Sequence, residues 1–444
     1  MKAYALLTPR GLLVTIAGCS RPFNCQGSSH PMTSKPSAKV SRDEAIDKLV
    51  EVSLAAGPLG SVTDKYFTNT RMVVEANGEK QVTYAVFLRR RCIAALEPAE
   101  RLITRLVPEA KVTRFYDEGE IVPAERKLME VSGPMSKLSE VETLLLQKTG
   151  FPSVSAANAF EMCMALPACA FIDMHARHGS GVEMNMLAAY GASVGSQAAR
   201  KANKDVRGFV GSSQDVTAPM FGAMAGIGTM PHALVGYADG DVLEATRMFA
   251  ERLPDIDQLV ALVDYQGLEI TDALRTADWF FNDAKLHDKG KTLGVRLDTH
   301  GGRFAEGLDY DKSVDTVGNW PNVDGEYNIV EYVLGPRAFQ LDPGNILVDK
   351  VRRVLFGSGV SVASIIHTRE ALDQAGFGKA HIVASSGFSP QKCQIMGAAR
   401  APIDTVGTGS FLPATLTETY ATADIISYDG EPRVKLGREF LFER

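Results

Sequence analysis

The chain is 444 residues long, 45% apolar and 23% charged, which is length enough for two or three domains with buried cores and an ordinary globular composition. Its 47 Lys and Arg against 53 Asp and Glu leave a net charge of −6, which excludes a general nucleic-acid binder but allows a local basic pocket. No apolar run is long enough to span a bilayer. The cysteines (Cys19, Cys25, Cys92, Cys163, Cys169 and Cys393) form no C-x-x-C pair, which argues against a zinc ribbon or disulfide framework and for buried thiols in a reducing, cytoplasmic compartment.

Residues 1–40 stand apart. No acidic residue precedes Asp43, while Lys2, Arg10, Arg21, Lys35, Lys39 and Arg42 are basic. The apolar run Gly11–Gly18 ends in Ile-Ala-Gly before Cys19. That pattern fits a lipoprotein cleavage site, an organelle transit peptide, or an upstream start codon with Met32 as the working initiator. The last is preferred, because the motifs downstream want cytosolic substrates. On each reading the segment is disordered or removed, and dispensable.

From residue 41 the pattern is α+β. Ile46, Leu49 and Val50 form an apolar stripe over Asp43–Ala55, with Ser41 as N-cap and Glu44 completing a capping box. Val82–Leu88 reads as a strand that Arg89–Arg91 can continue as a solvated edge. Pro98–Leu106 reads as a helix, Val112–Tyr116 and Leu128–Val131 as strands, and Leu138–Lys148 as a helix. From Ser153 strands and helices alternate. Helices are expected at Asn158–Leu166, Glu183–Asn203, Asp241–Arg252 and Ile270–Leu286. Strands are expected at Cys169–Asp173, Val206–Val210, Gln258–Val263, Leu293–Asp298, Val351–Gly357, Ile382–Ser385 and Ile403–Gly407. Such repeated βα units imply a parallel sheet with helices outside, and their number favours a closed barrel.

The chemistry-bearing residues cluster where these strands end. Asp173 leads to Arg177 and His178, Val210 to Gly211-Ser212-Ser213, and Asp298 to Gly301-Gly302-Arg303. Ala384 leads to Ser385-Ser386-Gly387, and Val406 to Gly407-Thr408-Gly409-Ser410. Bare N–H groups at such turns bind phosphate, although a single Gly-Thr-Gly is more often just a tight turn. Gly226–Thr229 is expected at a strand end, with Pro231 opening a short helix and His232 at the mouth of the loop. A histidine that merely packs the loop remains an equal reading.

Thr63-Asp64-Lys65-Tyr66-Phe67, Gly211-Ser212-Ser213, Gly228-Thr229-Met230-Pro231-His232, Arg296-Leu297-Asp298-Thr299, Ser386-Gly387 and Asp404–Ser410 recur in this order in nicotinate phosphoribosyltransferases, which the chain resembles from about residue 62 to 410. The resemblance implies an α/β fold in which an irregular, TIM-like α/β barrel (residues 151–410) packs on an α+β sandwich (residues 41–150, completed by 411–444). It further implies that nicotinate and phosphoribosyl pyrophosphate react, with ATP as co-substrate and Mg²⁺ carried by the pyrophosphate or ATP. The family expectation is a homodimer or higher homo-oligomer without nucleic-acid or membrane partners. His232 would be the phosphorylated histidine, kept neutral at a helix N-terminus, and Asp298 the second catalytic residue. Tyr66, Arg177, Ser213 and Arg303 would bind substrate, Tyr66 by stacking on the pyridine and Arg177 by pairing with its carboxylate. Ser386, Gly387, Gly407, Thr408 and Gly409 would hold phosphate.

Departures from the family pattern limit these expectations. The usual pair of arginines is here Arg177 and His178, and imidazole does not pair dependably with a carboxylate at neutral pH. The C-terminal cysteine cluster of some archaeal relatives is absent, so no structural zinc is expected. A phosphoribosyltransferase for another pyridine base stays open, as does a non-catalytic nucleotide-binding descendant. The joint presence of His232 and Asp298 argues against the latter.

Overall fold

Ser41 caps the first helix, α1 (Arg42–Leu54). Its hydroxyl accepts the Glu44 N–H at 3.1 Å, and the Glu44 carboxylate accepts the Ser41 N–H at 2.6 Å. This is the reciprocal box predicted from sequence, and Ile46, Leu49 and Val50 bury the helix stripe. The computed structural model describes residues 40–321, 326–335, 345–414 and 421–443. The N-terminal segment, with its competing readings, lies outside them.

After α1 come α2 (Leu59–Val62), α3 (Lys65–Asn77), β1 (Gln81–Phe87), β2 (Cys92–Ile93), α4 (Glu97–Leu106), β3 (Lys111–Arg114), β4 (Ile121–Val122), β5 (Lys127–Pro134) and α5 (Met135–Ala165). The βα series follows: β6 (Ala170–Asp173), α6 (Val182–Ala202), β7 (Gly208–Ser212), α7 (His232–Tyr237), α8 (Val242–Arg252), β8 (Gln258–Leu262), α9 (Glu269–Asp278) and β9 (Thr292–Leu297). It continues through α10 (Tyr310–Asn319), α11 (Glu326–Leu334), α12 (Ile346–Phe356), α13 (Val362–Gln374), β10 (His381–Ala384), α14 (Pro390–Ala398) and β11 (Thr405–Thr408). β12 (Thr422–Tyr428) and β13 (Glu431–Pro432) are the last strands of the described chain.

The first layer is an antiparallel sheet in the order β13-β12-β1-β5-β3, so β12, from the end of the chain, pairs with the first strand, Phe87 opposite Thr422. Val82, Tyr84, Val86, Leu128 and Val131 from this sheet bury against Leu138, Val141 and Leu145 of α5. The second is a parallel sheet in the order β7-β6-β11-β10-β9-β8. Its strands are apolar along most of their length because helices cover the outside and the strands' own side chains fill the inside. Among the described residues β7 pairs only with β6, and β8 only with β9, so the barrel wall is open between these two edges.

Several expectations are corrected. The two helices expected on either side of residue 150 are one helix, α5, which runs through Pro152 and the expected domain edge. Proline interrupts a helix by removing one bond and crowding a carbonyl. Here the turn is held from outside: nearly every residue of 148–159 is buried, and α6 lies against it. Val351–Gly357 is not a strand but the end of α12, with Val348, Val351 and Leu355 buried at helical spacing. Gly226–Thr229 is not a strand end; it lies in the long loop between β7 and α7. Pro231 is the N-cap of α7 and His232 its first residue. The helix expected over Ile270–Leu286 stops at Asp278 and gives way to a wider turn, Trp279–Asp283. Arg89–Arg91 form a bend, not an edge strand.

Candidate active site

The C-terminal ends of β6, β9, β10 and β11 enclose a cavity of about 170 Å³. Met174, Arg177 and His178 line it from the turn after β6, and Arg296 and Asp298 from the end of β9. Ser385–Phe388 follow β10 and Gly407–Phe411 close β11. This is the rim where parallel α/β folds build their sites, because strand ends converge there while the loops remain free to vary.

One side of the cavity is a cradle of backbone donors. The N–H groups of Ser386, Gly387 and Phe388 bond to no described residue, nor do those of Gly409, Ser410 and Phe411. Ser386 and Gly387 are both left-handed, at φ 75° and 72°. The two loops brace each other, with the Thr408 hydroxyl donating to Phe388 O at 2.8 Å. Unpaired N–H groups of two loops that line one cavity can serve as a nest for an anion.

The other side carries charge. Arg177 is exposed and makes no hydrogen bond or ion pair with a described residue, so its fork is free for a ligand. His178 stands beside it. Arg296 is largely buried; it donates to Thr229 Oγ1 at 2.8 Å and lies 4.0 Å from Asp298. Burial pushes the Arg296 guanidinium below its usual value, opposed by Asp298 and Asp264 and reinforced by Arg177. Its Nε is buried without a partner. Arg296 thus ties the cavity to the loop that carries His232.

Behind the cavity, His175 is fully buried, and its Nδ1 donates to Gly409 O at 3.2 Å. Its own N–H bonds to Asp173 Oδ1 at 2.8 Å. The chain Asp173–His175–Gly409 fixes the β6 turn against the β11 loop. Burial raises the Asp173 carboxyl to about 7, against the lowering effect of its bonds from the His175 N–H and Ser212.

His232 does not line this cavity. Its Nε2 lies 3.0 and 3.1 Å from the two oxygens of Asp264, a buried carboxylate just past the end of β8. A carboxylate only accepts, so Nε2 carries a proton, and in the neutral ring the lone pair is the one on Nδ1. The pair spans the open edge of the barrel, from the loop after β7 to the end of β8.

Of the residues singled out in the sequence, Arg177, Asp298, Ser386, Gly387, Gly407, Thr408 and Gly409 meet in the one cavity. Three others do not line it. Tyr66 is 61% exposed on α3, its ring against Phe67. Ser213 is exposed, with its N–H bonded to Asp173 O. The Arg303 guanidinium pairs with Glu269 at 2.6 Å and donates to the Asp264 carbonyl at 2.8 Å, so it braces the backbone of the His232 partner. The sequence reading gave no role to Asp264, Arg296 or His175. Asp264 follows β8 much as Asp298 follows β9, and that repeated strand-end position was the available signal.

Residues 64–153 match the N-terminal domain of quinolinate phosphoribosyl transferase. The nicotinate phosphoribosyltransferase pncB2 of Mycobacterium tuberculosis is 24% identical over 322 residues, 72% of this chain and 52% of that protein. The chain therefore spans about half the length of the curated relatives it matches. The crystal structure of nicotinate-nucleotide pyrophosphorylase from Pyrococcus furiosus superposes with a TM-score of 0.60 at 21% identity, covering 88% of this chain and 79% of that one. A NadC deletion mutant superposes at 0.51 with 13% identity, covering 88% and 99%. The sandwich matches the N-terminal domain of the quinolinate enzymes, and with the parallel barrel that follows it the chain has the fold of the type II phosphoribosyltransferases.

Proposed function

We propose that the chain is a nicotinate phosphoribosyltransferase acting in NAD synthesis or salvage, forming nicotinate mononucleotide and pyrophosphate from nicotinate and phosphoribosyl pyrophosphate. One observation carries this reading. A single cavity presents an unengaged guanidinium, Arg177, together with two loops of unpaired N–H groups and the Asp298 carboxylate.

The chemistry asks for little more. The cradle takes the 5′-phosphate and Arg177 the pyridine carboxylate, which brings the ring nitrogen to C1′. The nitrogen lone pair forms the new C–N bond as the C1′–O bond breaks, and that electron pair leaves with pyrophosphate. No proton has to move. Positive charge develops on the sugar, and Asp298 stabilises it. Mg²⁺ would be carried in by the substrate pyrophosphate, and Asp298 would be the hard oxygen donor that the cavity offers it.

ATP coupling belongs to the same proposal. His232 Nδ1 attacks the γ-phosphorus, ADP leaves, and Asp264 stabilises the charge left on the ring through Nε2–H. Water later hydrolyses the phosphohistidine. The support is the tautomer set by Asp264 and the Arg296–Thr229 bond linking this loop to the cavity. Tyr66, exposed and outside the cavity wall, keeps its stacking role only if a second copy of the chain supplies it, so a homo-oligomer is part of the reading.

His178 favours a second reading. It stands in the cavity wall where the family has a second arginine, and one guanidinium with one imidazole suits a different substituent on the ring. The test is to incubate the pure protein with phosphoribosyl pyrophosphate and Mg²⁺, offering nicotinate, nicotinamide and quinolinate in turn, with and without ATP. Preferential nicotinate consumption, stimulated by ATP, is the expected result. Preference for another base would install the second reading, and binding without turnover would indicate a non-catalytic descendant.

A further inference from the structure

Lys392 occupies a position that ordinary stability does not favour. It is the third residue of α14, after the cap Ser389, where the unsatisfied N–H groups of a helix repel a cation. Burial is its largest perturbation and holds its ammonium down to about 8, against the pull of Asp298. The stem turns back over the preceding loop, with Nζ 4.4 Å from the Phe388 ring centre and donating to the Ser386 carbonyl at 2.8 Å. Ser386 and Phe388 both line the cavity. Ser386 is one of the few residues other than glycine in the left-handed region.

The peptide plane gives this contact a directional consequence. In a trans peptide the carbonyl of one residue and the N–H of the next point opposite ways. Lys392 holds the Ser386 carbonyl from one side, so the Gly387 N–H on the same plane faces the other. That N–H bonds to no described residue, and Gly387 lines the cavity. Without the ammonium nothing described holds this carbonyl. The plane is then free to rotate and present an oxygen where an anion is to bind.

We infer that Lys392 is the positioning residue of the phosphate cradle: by anchoring the Ser386 carbonyl it aims the Gly387 N–H at the phosphate of phosphoribosyl pyrophosphate. The inference rests on the reading of this cavity as a phosphoribosyl pyrophosphate site. Lys392 acts through the loop and does not have to touch the substrate.

The test measures phosphoribosyl pyrophosphate binding by calorimetry in the presence of Mg²⁺, together with Michaelis constants for both substrates. The full-length protein is compared with K392M, which keeps the stem but loses the donor, and with K392R, which keeps a charged donor. K392M is expected to weaken phosphoribosyl pyrophosphate binding by roughly ten-fold or more, the usual cost of a hydrogen bond to a charged group, and to leave the nicotinate Michaelis constant nearly unchanged. K392R should recover most of the loss. If K392M does not fold, K392L, which also lacks a donor, is read in its place. Unchanged binding in K392M would overturn the inference. So would an equal loss for both substrates, or a K392R as poor as K392M. A wild-type protein that binds no phosphoribosyl pyrophosphate would overturn the functional reading itself, and the inference with it. Binding in the wild type without nicotinate turnover would remove the substrate assignment and leave Lys392 testable by calorimetry alone.

Discussion

In the proposed function Arg177 is the residue on which substrate choice would turn. Its fork is unengaged, and a bidentate pair with a carboxylate contributes about 1.5–3 kcal/mol. Arg177→Ala should raise the nicotinate Michaelis constant by roughly ten- to a hundred-fold, with a much smaller effect on phosphoribosyl pyrophosphate. Arg177→Lys should recover part of this, because lysine keeps the charge but not the fork. Equal damage to both substrates in steady-state kinetics would make Arg177 a phosphate ligand instead. His178→Arg should improve nicotinate use, and loss of activity there would favour another base. For His232 the expected phenotype is selective. His232→Ala should abolish ATP hydrolysis coupled to base addition and leave some ATP-independent synthesis. Asp264→Asn should slow labelling by γ-³²P ATP, since the amide no longer fixes the tautomer or stabilises the charged ring. Full coupling in His232→Ala would end the phosphohistidine assignment.

At the scale of elements, α5 and α6 pack backbone against backbone. A Cβ on Gly195 would overlap the Ala156 carbonyl, and one on Gly191 would overlap that of Pro152. The backbones touch, and neither can retreat without moving a buried layer. Gly195→Ala should therefore lower stability by about 1–3 kcal/mol or more despite alanine's better helix propensity, as read by chemical denaturation. A gain in stability would show that the helices separate freely. These same helices mark where sequence reasoning succeeds and fails. The α1 cap was legible because Ser41 and Glu44 interact locally, and the βα strand ends were legible because apolar runs break abruptly into Gly, Ser and Asp. The continuity of α5 through Pro152 was not, since what holds that turn is α6, distant in sequence. Val351–Gly357 is too short an apolar run to tell strand from helix; reading back to Val348 would have exposed the helical spacing. Lys392 was invisible for a similar reason, its meaning lying in a carbonyl six residues away across a turn.

At the scale of the whole molecule, carboxyls raised by desolvation are expected to set a pH dependence of stability, Asp173 and Glu142 most strongly. Burial raises Asp173 in the barrel to about 7 from 3.8, and Glu142 in α5 to about 7 from 4.5. Between the unfolded and folded values the native state holds more protons than the unfolded chain, so these groups make stability fall as pH rises through that window. The stability advantage of wild type over Asp173→Asn should shrink as pH rises from about 4 to about 7 and stay level above it, as measured by denaturant unfolding at each pH. A difference that grows with pH would mean that Asp173 is ionised in the fold.

The open edge of the barrel has a further consequence for how the protein loosens. A central strand such as β11 is gripped on both sides, whereas β7 and β8 are each gripped on one. Local opening should begin along this seam and spread inward, so amide hydrogens in residues 208–212 and 258–262 should exchange with solvent sooner than those of β10 and β11. His232 and Asp264 act as a clasp across the seam. Cutting it with His232→Ala should speed exchange at the end of β8 and in the 226–232 loop while the middle of the wall keeps its protection. A histidine chosen for phosphoryl chemistry would then also be a fastening of the fold, and its modification state could be read from the rate at which the barrel breathes.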